Sequence, residues 1–331
     1  MASVGRSGST FLGELLASQG NNMYMFEPIR SLQKPYLKAS VVAVLLNLFH
    51  CNIKQNFLEL GKVPYTNIKH HYIKDKSKEQ IVLHAVNEHC KMEPIRIIKT
   101  IRTRLQWTKQ LLEDKDLNLK VIHLVRDPRG SFVSTLNLEW NLTTSNVCHK
   151  ILQDLQQRQE MEELYPHRYF FITYEELCRE PYASTQAIFQ FLKEETRHRQ
   201  TAREIFPPDV THGSAADDKA HYRLSKSDRY FDKVTSESRK GEPGLVTELP
   251  EGVLNYLKTH TRVSLLTMND PWTTVRDTRS IYQQWRRKIT QQQLSDVETH
   301  CRQVINILNH KLFGTLRNVR NLSLSLFDQP Q

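Results

Sequence analysis

Short apolar runs alternate with longer amphipathic stretches along this chain. Four runs have the length of buried strands, at residues 23–26, 95–98, 121–125 and 169–172. Between them, apolar residues recur at helical spacing. Strands that alternate with helices form parallel sheets with helices on both faces. The pattern therefore predicts an α/β fold class, with one central parallel sheet flanked by helices in a single domain over residues 1–331.

The helical stretches have less definite ends than the strands. We expect helices over residues 9–18, 31–49, 104–112, 147–164, 183–192, 250–260 and 291–312, with shorter ones from residue 128 and near residue 175. Residues 208–245 are polar and charged, so we expect a loop or an insertion there. The longest apolar run, Val41 to Leu46, is too short to span a bilayer.

Candidate chemistry first occurs in the stretch Gly5-Arg6-Ser7-Gly8-Ser9-Thr10-Phe11, at the start of the first predicted helix. A helix start carries unpaired backbone N–H groups and partial positive charge, so it favours an anion. Glycines let the backbone approach that anion, the hydroxyls add donors, and Arg6 adds a fixed cation. The stretch lacks the lysine and the glycine spacing of a Walker A loop. Alone, an ordinary capped turn explains it equally well.

A second strand-to-helix corner follows the strand predicted at residues 121–125. Arg126 stands at the carboxyl end of that strand, where open α/β sheets bind ligands. Asp127 can cap the next helix, Pro128 suits its first turn, and Ser134 lies in its second turn. A capped turn with surface arginines also explains this stretch when it is taken alone. Two such corners together indicate a nucleotide with two separated phosphate groups.

The two corners resemble the 5′-phosphosulfate and 3′-phosphate motifs of sulfotransferases. The chain is most similar to the Golgi carbohydrate 6-O-sulfotransferases, which act on N-acetylglucosamine, galactose or N-acetylgalactosamine. The most specific stretch runs from Ile98 to Ser134, and the segments at 25–28, 174–177 and 285–286 also match. The resemblance implies a P-loop-like domain that moves a sulfuryl group from 3′-phosphoadenosine 5′-phosphosulfate (PAPS) to a sugar hydroxyl. The expected acceptor group is the 6-hydroxyl, and the expected product nucleotide is 3′,5′-ADP.

The resemblance also implies roles for individual residues. The 5′-phosphosulfate would be held by the first corner, and the 3′-phosphate by Arg126 and Ser134. The residues expected at the first corner are Arg6, Ser7, Gly8, Ser9, Thr10 and Phe11. No metal is required for this reaction, and the sequence offers no convincing metal site. Trp285 and Arg286 would lie either near the nucleotide or in the core.

Arg6 and Glu27 are the residues expected to act in catalysis. Glu27 follows the strand at residues 23–26, close to the first corner, so its carboxylate could take a proton from the sugar hydroxyl. A structural ion pair of Glu27 with Arg30 or Arg6 is an equally good explanation. Lys99 and Arg102 follow another strand and could stabilise the leaving group or bind the acceptor, although surface charge explains them as well.

Charge narrows the choice of partners. The chain has 46 Lys and Arg against 36 Asp and Glu, a formal net charge of +10. That excess favours an anionic partner such as a nucleotide or an acidic glycan. The basic residues are spread along the chain without an arginine-rich arm, so we expect no nucleic acid partner. The resemblance implies a glycan or glycoprotein acceptor.

The cysteines and the N-terminal region bear on the compartment. Five cysteines without CxxC spacing argue against a zinc module, and in a luminal protein they allow two disulfides and a free thiol with the pairing left open. The triplets at Asn141 and Asn321 are glycosylation sequons. The resembling enzymes are type II membrane proteins of the Golgi with an N-terminal anchor and a full first strand. Little precedes Gly5 here, so we expect a truncated form of a Golgi-lumen enzyme that folds weakly.

Two alternative functions stay open at this point. A P-loop kinase or NTPase would share the broad fold, but the missing Walker lysine and the lack of a clear metal-binding aspartate argue against it. A glycan-binding relative that has lost catalysis is the second alternative. Thr135 and Thr173 keep it open, because they stand where the resembling family usually has basic residues.

Overall fold

Four strands are seen in the computed structural model, which describes residues 4–54, 83–136, 143–194, 248–262 and 273–328. They are β1 (Asn22–Phe26), β2 (Ile95–Lys99), β3 (Val121–Val125) and β4 (Tyr169–Thr173). Each lies within one residue of its predicted span, because a short apolar run between polar flanks marks a buried strand well. The loop expected at residues 208–245 lies outside the described residues.

Helices occupy much of the remaining described chain, and two short 3-10 helices, at Pro28–Ser31 and Leu105–Trp107, accompany them. The helices that precede β3 are α1 (Ser9–Ala17), α2 (Lys38–Phe49), α3 (Leu83–Met92) and α4 (Thr108–Leu112). Around β4 lie α5 (Pro128–Thr135), α6 (Thr144–Gln156), α7 (Arg158–Leu164), α8 (Tyr174–Arg179) and α9 (Pro181–Lys193). The last are α10 (Glu251–His260), α11 (Thr278–Ile281), α12 (Trp285–Lys288), α13 (Gln291–His300), α14 (Arg302–Ile307) and α15 (Leu316–Arg320).

The strands form two parallel pairs. β1 pairs with β2, with Met25 opposite Ile98, and β3 pairs with β4, with Leu124 opposite Ile172. The predicted α/β class with parallel strands is confirmed. The single central sheet is not seen among the described residues, because no described strand hydrogen-bonds to both pairs.

Helices cover both faces of the β3–β4 pair, because alternate side chains point to opposite faces. On one face, Ile122 and Phe170 pack with apolar side chains of α1, α8, α9 and α10. On the other face, Val121 and Phe171 pack with side chains of α4, α6, α7, α13 and α14. Ile97 of β2 packs against the first of these clusters, so α1 and its neighbours join the two strand pairs.

The bounds predicted for two of the helices were wrong. α2 begins at Lys38 rather than at residue 31, because Pro35 lacks an N–H and restricts the residue before it. The helix predicted over 147–164 is two helices, α6 and α7, which meet at Gln157. At that break the buried Arg158 guanidinium lies 3.7 Å from the ring centre of Phe171.

Two further helices are also broken. The 104–112 span begins as a 3-10 helix and becomes α-helical at Thr108. The span predicted over 291–312 is interrupted at Cys301, and its helical part ends at Ile307.

Two disulfides tie distant segments together. Cys51 is bonded to Cys90, and Cys148 is bonded to Cys301, while Cys178 is a buried free thiol. Among the described residues, the helices are all too short or too polar to cross a membrane.

Candidate active site

A cavity of about 650 Å³ lies where the carboxyl ends of β1, β2 and β3 meet the start of α1. Eight of the residues expected from the sequence line it, namely Arg6, Gly8, Ser9, Thr10, Phe11, Glu27, Arg126 and Ser134. Ser7 is fully buried beside them and does not line the cavity.

The loop before α1 adopts a conformation that glycine makes accessible. Gly8 has a φ of 83°, and Arg6 also lies in the left-handed region with a φ of 64°. A Cβ on Gly8 would come within 2.3 Å of Cδ2 of Tyr174. No side chain caps the start of α1, and Ser7 Oγ is buried without a hydrogen-bond partner among the described residues. The helix start is thus suited to an anion that would take these donors.

Arg126 connects the second corner to the first. Its Nη1 donates a hydrogen bond to the Arg6 carbonyl at 2.8 Å, and its guanidinium lies 4.4 Å from the ring centre of Tyr174. Its Nε is buried and lacks a partner in the part of the chain that the structure describes. A Cβ on Gly130 would come within 3.0 Å of that Nε, so the glycine leaves room beside it. Arg6 Nε donates to Ser134 Oγ at 3.0 Å, a second link between the corners.

Positive charge dominates the cavity wall. Six cations line it, Arg6, Arg30, Lys99, Arg102, Arg126 and Arg276, together with the carboxylates of Glu14 and Glu27. These charges leave a formal excess of +4 on the wall. Burial lowers the pKa of Arg6, and the neighbouring Arg126 and Arg276 lower it further. A polyanion in this cavity would relieve the repulsion between the guanidinium groups.

Glu27 is a buried carboxylate, 4% exposed, on that wall. Lys99 Nζ lies 2.6 Å from its Oε1, and Arg102 forms an ion pair with its Oε2. The ion pairs seen at Glu27 are therefore with the last residue of β2 and with the segment after it, whereas the sequence suggested Arg30 or Arg6. Burial lowers the pKa of Lys99, and the ion pair with Glu27 opposes that shift. Arg102 Nε also donates a hydrogen bond to Tyr36 Oη at 3.2 Å, so the guanidinium that pairs with Glu27 is held by Tyr36 as well.

A network of buried charges lies behind Arg126. The predicted cap is confirmed, since Asp127 accepts a hydrogen bond from the backbone N–H of Arg129. Arg129 forms ion pairs with Asp127 at 2.9 Å and with Glu298 at 2.7 Å, and His310 Nδ1 lies 3.3 Å from Asp127. Although burial opposes it, Arg129 and His310 hold the pKa of Asp127 well below its ordinary value.

Glu175 completes this network, because its Oε1 accepts a hydrogen bond from the backbone N–H of Asp127 at 3.2 Å. Burial, with Asp127 adding to it, raises the pKa of Glu175 to about 7. The corner that carries Arg126 is thus supported by charged side chains from distant parts of the chain, between Asp127 and His310.

Trp285 and Arg286 lie outside the cavity lining. The Arg129 guanidinium is 4.8 Å from the ring centre of Trp285, which places this tryptophan behind the second corner. Arg286 is fully buried and donates to the carbonyls of Val319, Asn321 and Leu324. Of the two positions considered for this segment, the core is the one observed.

Several cavity residues were missed in the sequence. Tyr174 contacts both corners. It begins α8 directly after Thr173 at the end of β4, and the capping box of Thr173 with Glu176 lies outside the cavity lining. That Thr-x-x-Glu spacing was a local signal for the helix start. Glu14 accepts hydrogen bonds from Tyr256 Oη at 2.9 Å and from Thr274 Oγ1 at 2.8 Å. No local pattern announces that contact, because the partners are 242 and 260 residues away.

The described residues include no group of three His, Cys, Asp or Glu side chains placed to hold a metal ion.

The chain is similar to known proteins over the stretch that carries both corners. The sulfotransferase domain family matches residues 1–244. Carbohydrate sulfotransferase 1 of Danio rerio is 22% identical, over 98% of this chain and 80% of that protein. Carbohydrate sulfotransferase 1 of Homo sapiens is 20% identical, over 98% of this chain and 82% of its own length. Carbohydrate sulfotransferase 3 of Homo sapiens is 25% identical, over 40% of this chain and 36% of its own. No solved structure matches.

Proposed function

We propose that this chain uses PAPS to sulfate a carbohydrate. The premise is that the chain belongs to the sulfotransferase domain family and is a sulfotransferase. The observation that carries the proposal is the cationic cavity between the loop before α1 and the corner where β3 leads into α5. Its wall has a formal excess of four positive charges. PAPS carries a phosphosulfate at one end and a phosphate at the other, so it offers anionic groups to both corners.

The residues present fit such a donor. Arg126 lines the cavity, and its Nε is a buried donor without a partner among the described residues, which a ligand phosphate would satisfy. An added Cβ at Gly8 would clash with the Tyr174 ring at 2.3 Å, and one at Gly130 would crowd Arg126 Nε at 3.0 Å, so each glycine leaves space for the side chain beside it. Arg6 and the first N–H groups of α1 hold the 5′-phosphosulfate, and Arg126 with Ser134 holds the 3′-phosphate. The donor supplies an activated sulfuryl group.

Glu27 is the proposed general base. Its carboxylate lines the cavity beside the first corner, where it takes the proton of the acceptor hydroxyl. Lys99 and Arg102 orient that carboxylate through their ion pairs. Lys99 is also close enough to the cavity to donate a hydrogen bond to oxygen atoms that gain charge during the reaction.

The proposed acceptor is the 6-hydroxyl of N-acetylglucosamine, galactose or N-acetylgalactosamine in a glycan or glycoprotein. The names of the relatives, carbohydrate sulfotransferases 1 and 3, support a carbohydrate acceptor. We place the enzyme in the Golgi lumen, and the two disulfides support an oxidising compartment of the secretory pathway.

Calorimetric titration of the purified chain with 3′,5′-ADP, 5′-AMP and ATP tests the donor site. We expect binding of 3′,5′-ADP that depends on the 3′-phosphate and is lost in Arg126→Ala. Arg279→Ala is the matched control, because it removes an exposed arginine outside the cavity lining. Equal affinity for 3′,5′-ADP and 5′-AMP, or a preference for ATP, in a folded chain would contradict the proposal.

A panel of sugars with labelled PAPS then tests the acceptor. Transfer to a 6-hydroxyl sugar, and not to its 6-deoxy analogue, is the expected result. Transfer that is equally fast to the 6-deoxy analogue would leave the donor proposal intact and overturn the acceptor position.

A further inference from the structure

The turn after α15 presents an asparagine to solvent. Asn321, Leu322 and Ser323 are all exposed there, and they form an Asn-x-Ser triplet. Asn321 Oδ1 accepts hydrogen bonds from Ser323 N–H at 3.1 Å and from Ser323 Oγ at 2.6 Å. The first and third residues of the triplet therefore already contact each other through the side chains that define the sequon.

The backbone of this turn is held from the opposite side. Arg286 is fully buried and donates to the Asn321 carbonyl at 2.8 Å and to the Leu324 carbonyl at 3.1 Å. Within the described chain, nothing accepts a hydrogen bond from the Asn321 side-chain amide nitrogen. The turn is thus anchored through its carbonyls. The side chain of Asn321 is exposed, so a group attached to its amide nitrogen would break none of these hydrogen bonds.

We propose that Asn321 carries an N-linked oligosaccharide. Its Nδ2 forms a bond to the anomeric carbon of an oligosaccharide carried on a lipid pyrophosphate. The bond between that carbon and the pyrophosphate oxygen breaks, the lipid pyrophosphate leaves with the electron pair, and a base of the oligosaccharide-transferring enzyme takes one amide proton.

Two features of the molecule agree with this modification. The reaction occurs in secretory compartments, where disulfides such as Cys51–Cys90 and Cys148–Cys301 form. The turn also faces solvent, because Asn321, Leu322 and Ser323 are all exposed, so a bulky polar group on Asn321 can extend into water. None of the three sequon residues lines the cavity, so the proposal does not depend on the transfer reaction.

The test directs the full chain into the secretory pathway of a eukaryotic cell behind a signal peptide. The second sequon, at Asn141, lies outside the described residues, so Asn141→Gln serves as the background. The chain is treated with peptide N-glycosidase in heavy-oxygen water, and the C-terminal tryptic peptide is read by mass spectrometry. We expect labelled aspartate at position 321 and an increase in gel mobility on treatment.

Two variants at Ser323 sharpen the result. Ser323→Ala should abolish both signals, and Ser323→Thr should keep them, because only a hydroxyl at that position completes the sequon. The same peptide read from the chain that retains Asn141 gives the answer if the background variant folds poorly. Unlabelled Asn321 in a secreted chain that binds 3′,5′-ADP would overturn the glycosylation proposal and leave the proposed function untouched.

Discussion

Glu27 combines burial, two cationic partners and a place on the cavity wall. Burying an ion pair removes charged groups from water at a cost that the pair's own attraction often fails to offset. Stability is therefore a weak reason for this carboxylate to lie here. Its orientation toward a cavity lined by the two corners proposed to bind the donor is a better one, and it supports the role of proton acceptor.

Replacing Glu27 by glutamine tests that role. The amide keeps the size of the side chain but cannot take a proton, so we expect kcat to fall by about 10²–10⁴-fold. Binding of 3′,5′-ADP should stay close to that of the unchanged chain. Glu14→Gln is the matched control, because Glu14 lines the same cavity and is held by hydroxyl groups. A Glu27→Gln enzyme with near-normal kcat would remove Glu27 from the mechanism.

The sequence predicted the position of Glu27 but not the partners of its ion pairs. Its position after an apolar strand was enough to place it at a sheet edge. Lys99 and Arg102 are 72 and 75 residues away in the chain, and only the pairing of β1 with β2 brings them close. Contacts of this kind depend on strand order and register, which a local pattern does not contain.

At the scale of elements, the second corner joins the end of β3 to the start of α5, whereas the first is the loop of residues 4–8 that leads into α1. The β3 corner is capped by its own aspartate, Asp127. The first corner has no side-chain cap, and Gly8 stands at its N-cap position with a φ of 83°. The start of α1 therefore leaves its N–H groups for a ligand, whereas at the start of α5 Asp127 takes one of them.

Gly8→Ala should disrupt the first corner. The new methyl group would lie within 2.3 Å of the Tyr174 ring, and alanine would also have to adopt a left-handed backbone conformation, so the loop must move. We expect the affinity for 3′,5′-ADP to fall at least about tenfold, which corresponds to roughly 1.4 kcal/mol. Titration calorimetry measures this change.

Gly20→Ala separates backbone strain from the clash. Gly20 has a φ of 78°, but an added Cβ there meets nothing within 4 Å. This variant should lose about 1–2 kcal/mol of stability and bind the nucleotide normally. Equal losses of nucleotide affinity in the two variants would argue that the contact with Tyr174 plays no part.

Strands were predicted more accurately than helices for a physical reason. All five residues of β3 and of β4 are buried, so their apolar runs end within one residue of the strand ends. The helical periodicity instead runs on through Pro35 and through the breaks before α7 and before α14. At those two breaks Arg158 stacks over Phe171 and Cys301 is bonded to Cys148, contacts with residues that no local pattern contains.

At the scale of the whole molecule, the cluster behind Arg126 joins segments from across the chain. Asp127 and Arg129 come from α5 and its cap, Glu175 from α8, Glu298 from α13, and His310 from the segment after α14. The sequence showed these residues only as scattered charges. Their convergence means that the position of Arg126 depends on the packing of the C-terminal helices as well as on its own strand.

This cluster should make stability depend on pH through Glu175. Its pKa is raised from 4.5 to about 7, chiefly by burial. Between those values the unfolded chain releases the proton while the folded chain retains it, so the unfolded state binds fewer protons. The free energy of unfolding should therefore fall as pH rises from about 4.5 to about 7, and then level off. Denaturant unfolding across that range, compared with Glu175→Gln, measures the contribution.

The variant should reduce this slope, because glutamine stays neutral and keeps the shape of the protonated acid. His310, Asp127 and Arg126 face Glu175 in both proteins, so the difference between the two curves reports Glu175 and its coupling to them. Glu180→Gln, at an exposed position just after α8, is the matched control and should leave the slope unchanged. Parallel curves for the unchanged chain and Glu175→Gln would mean that Glu175 is ionised in the folded protein. Arg126 and His310 would then attract the ionised carboxylate of Glu175, and that attraction would stabilise the second corner.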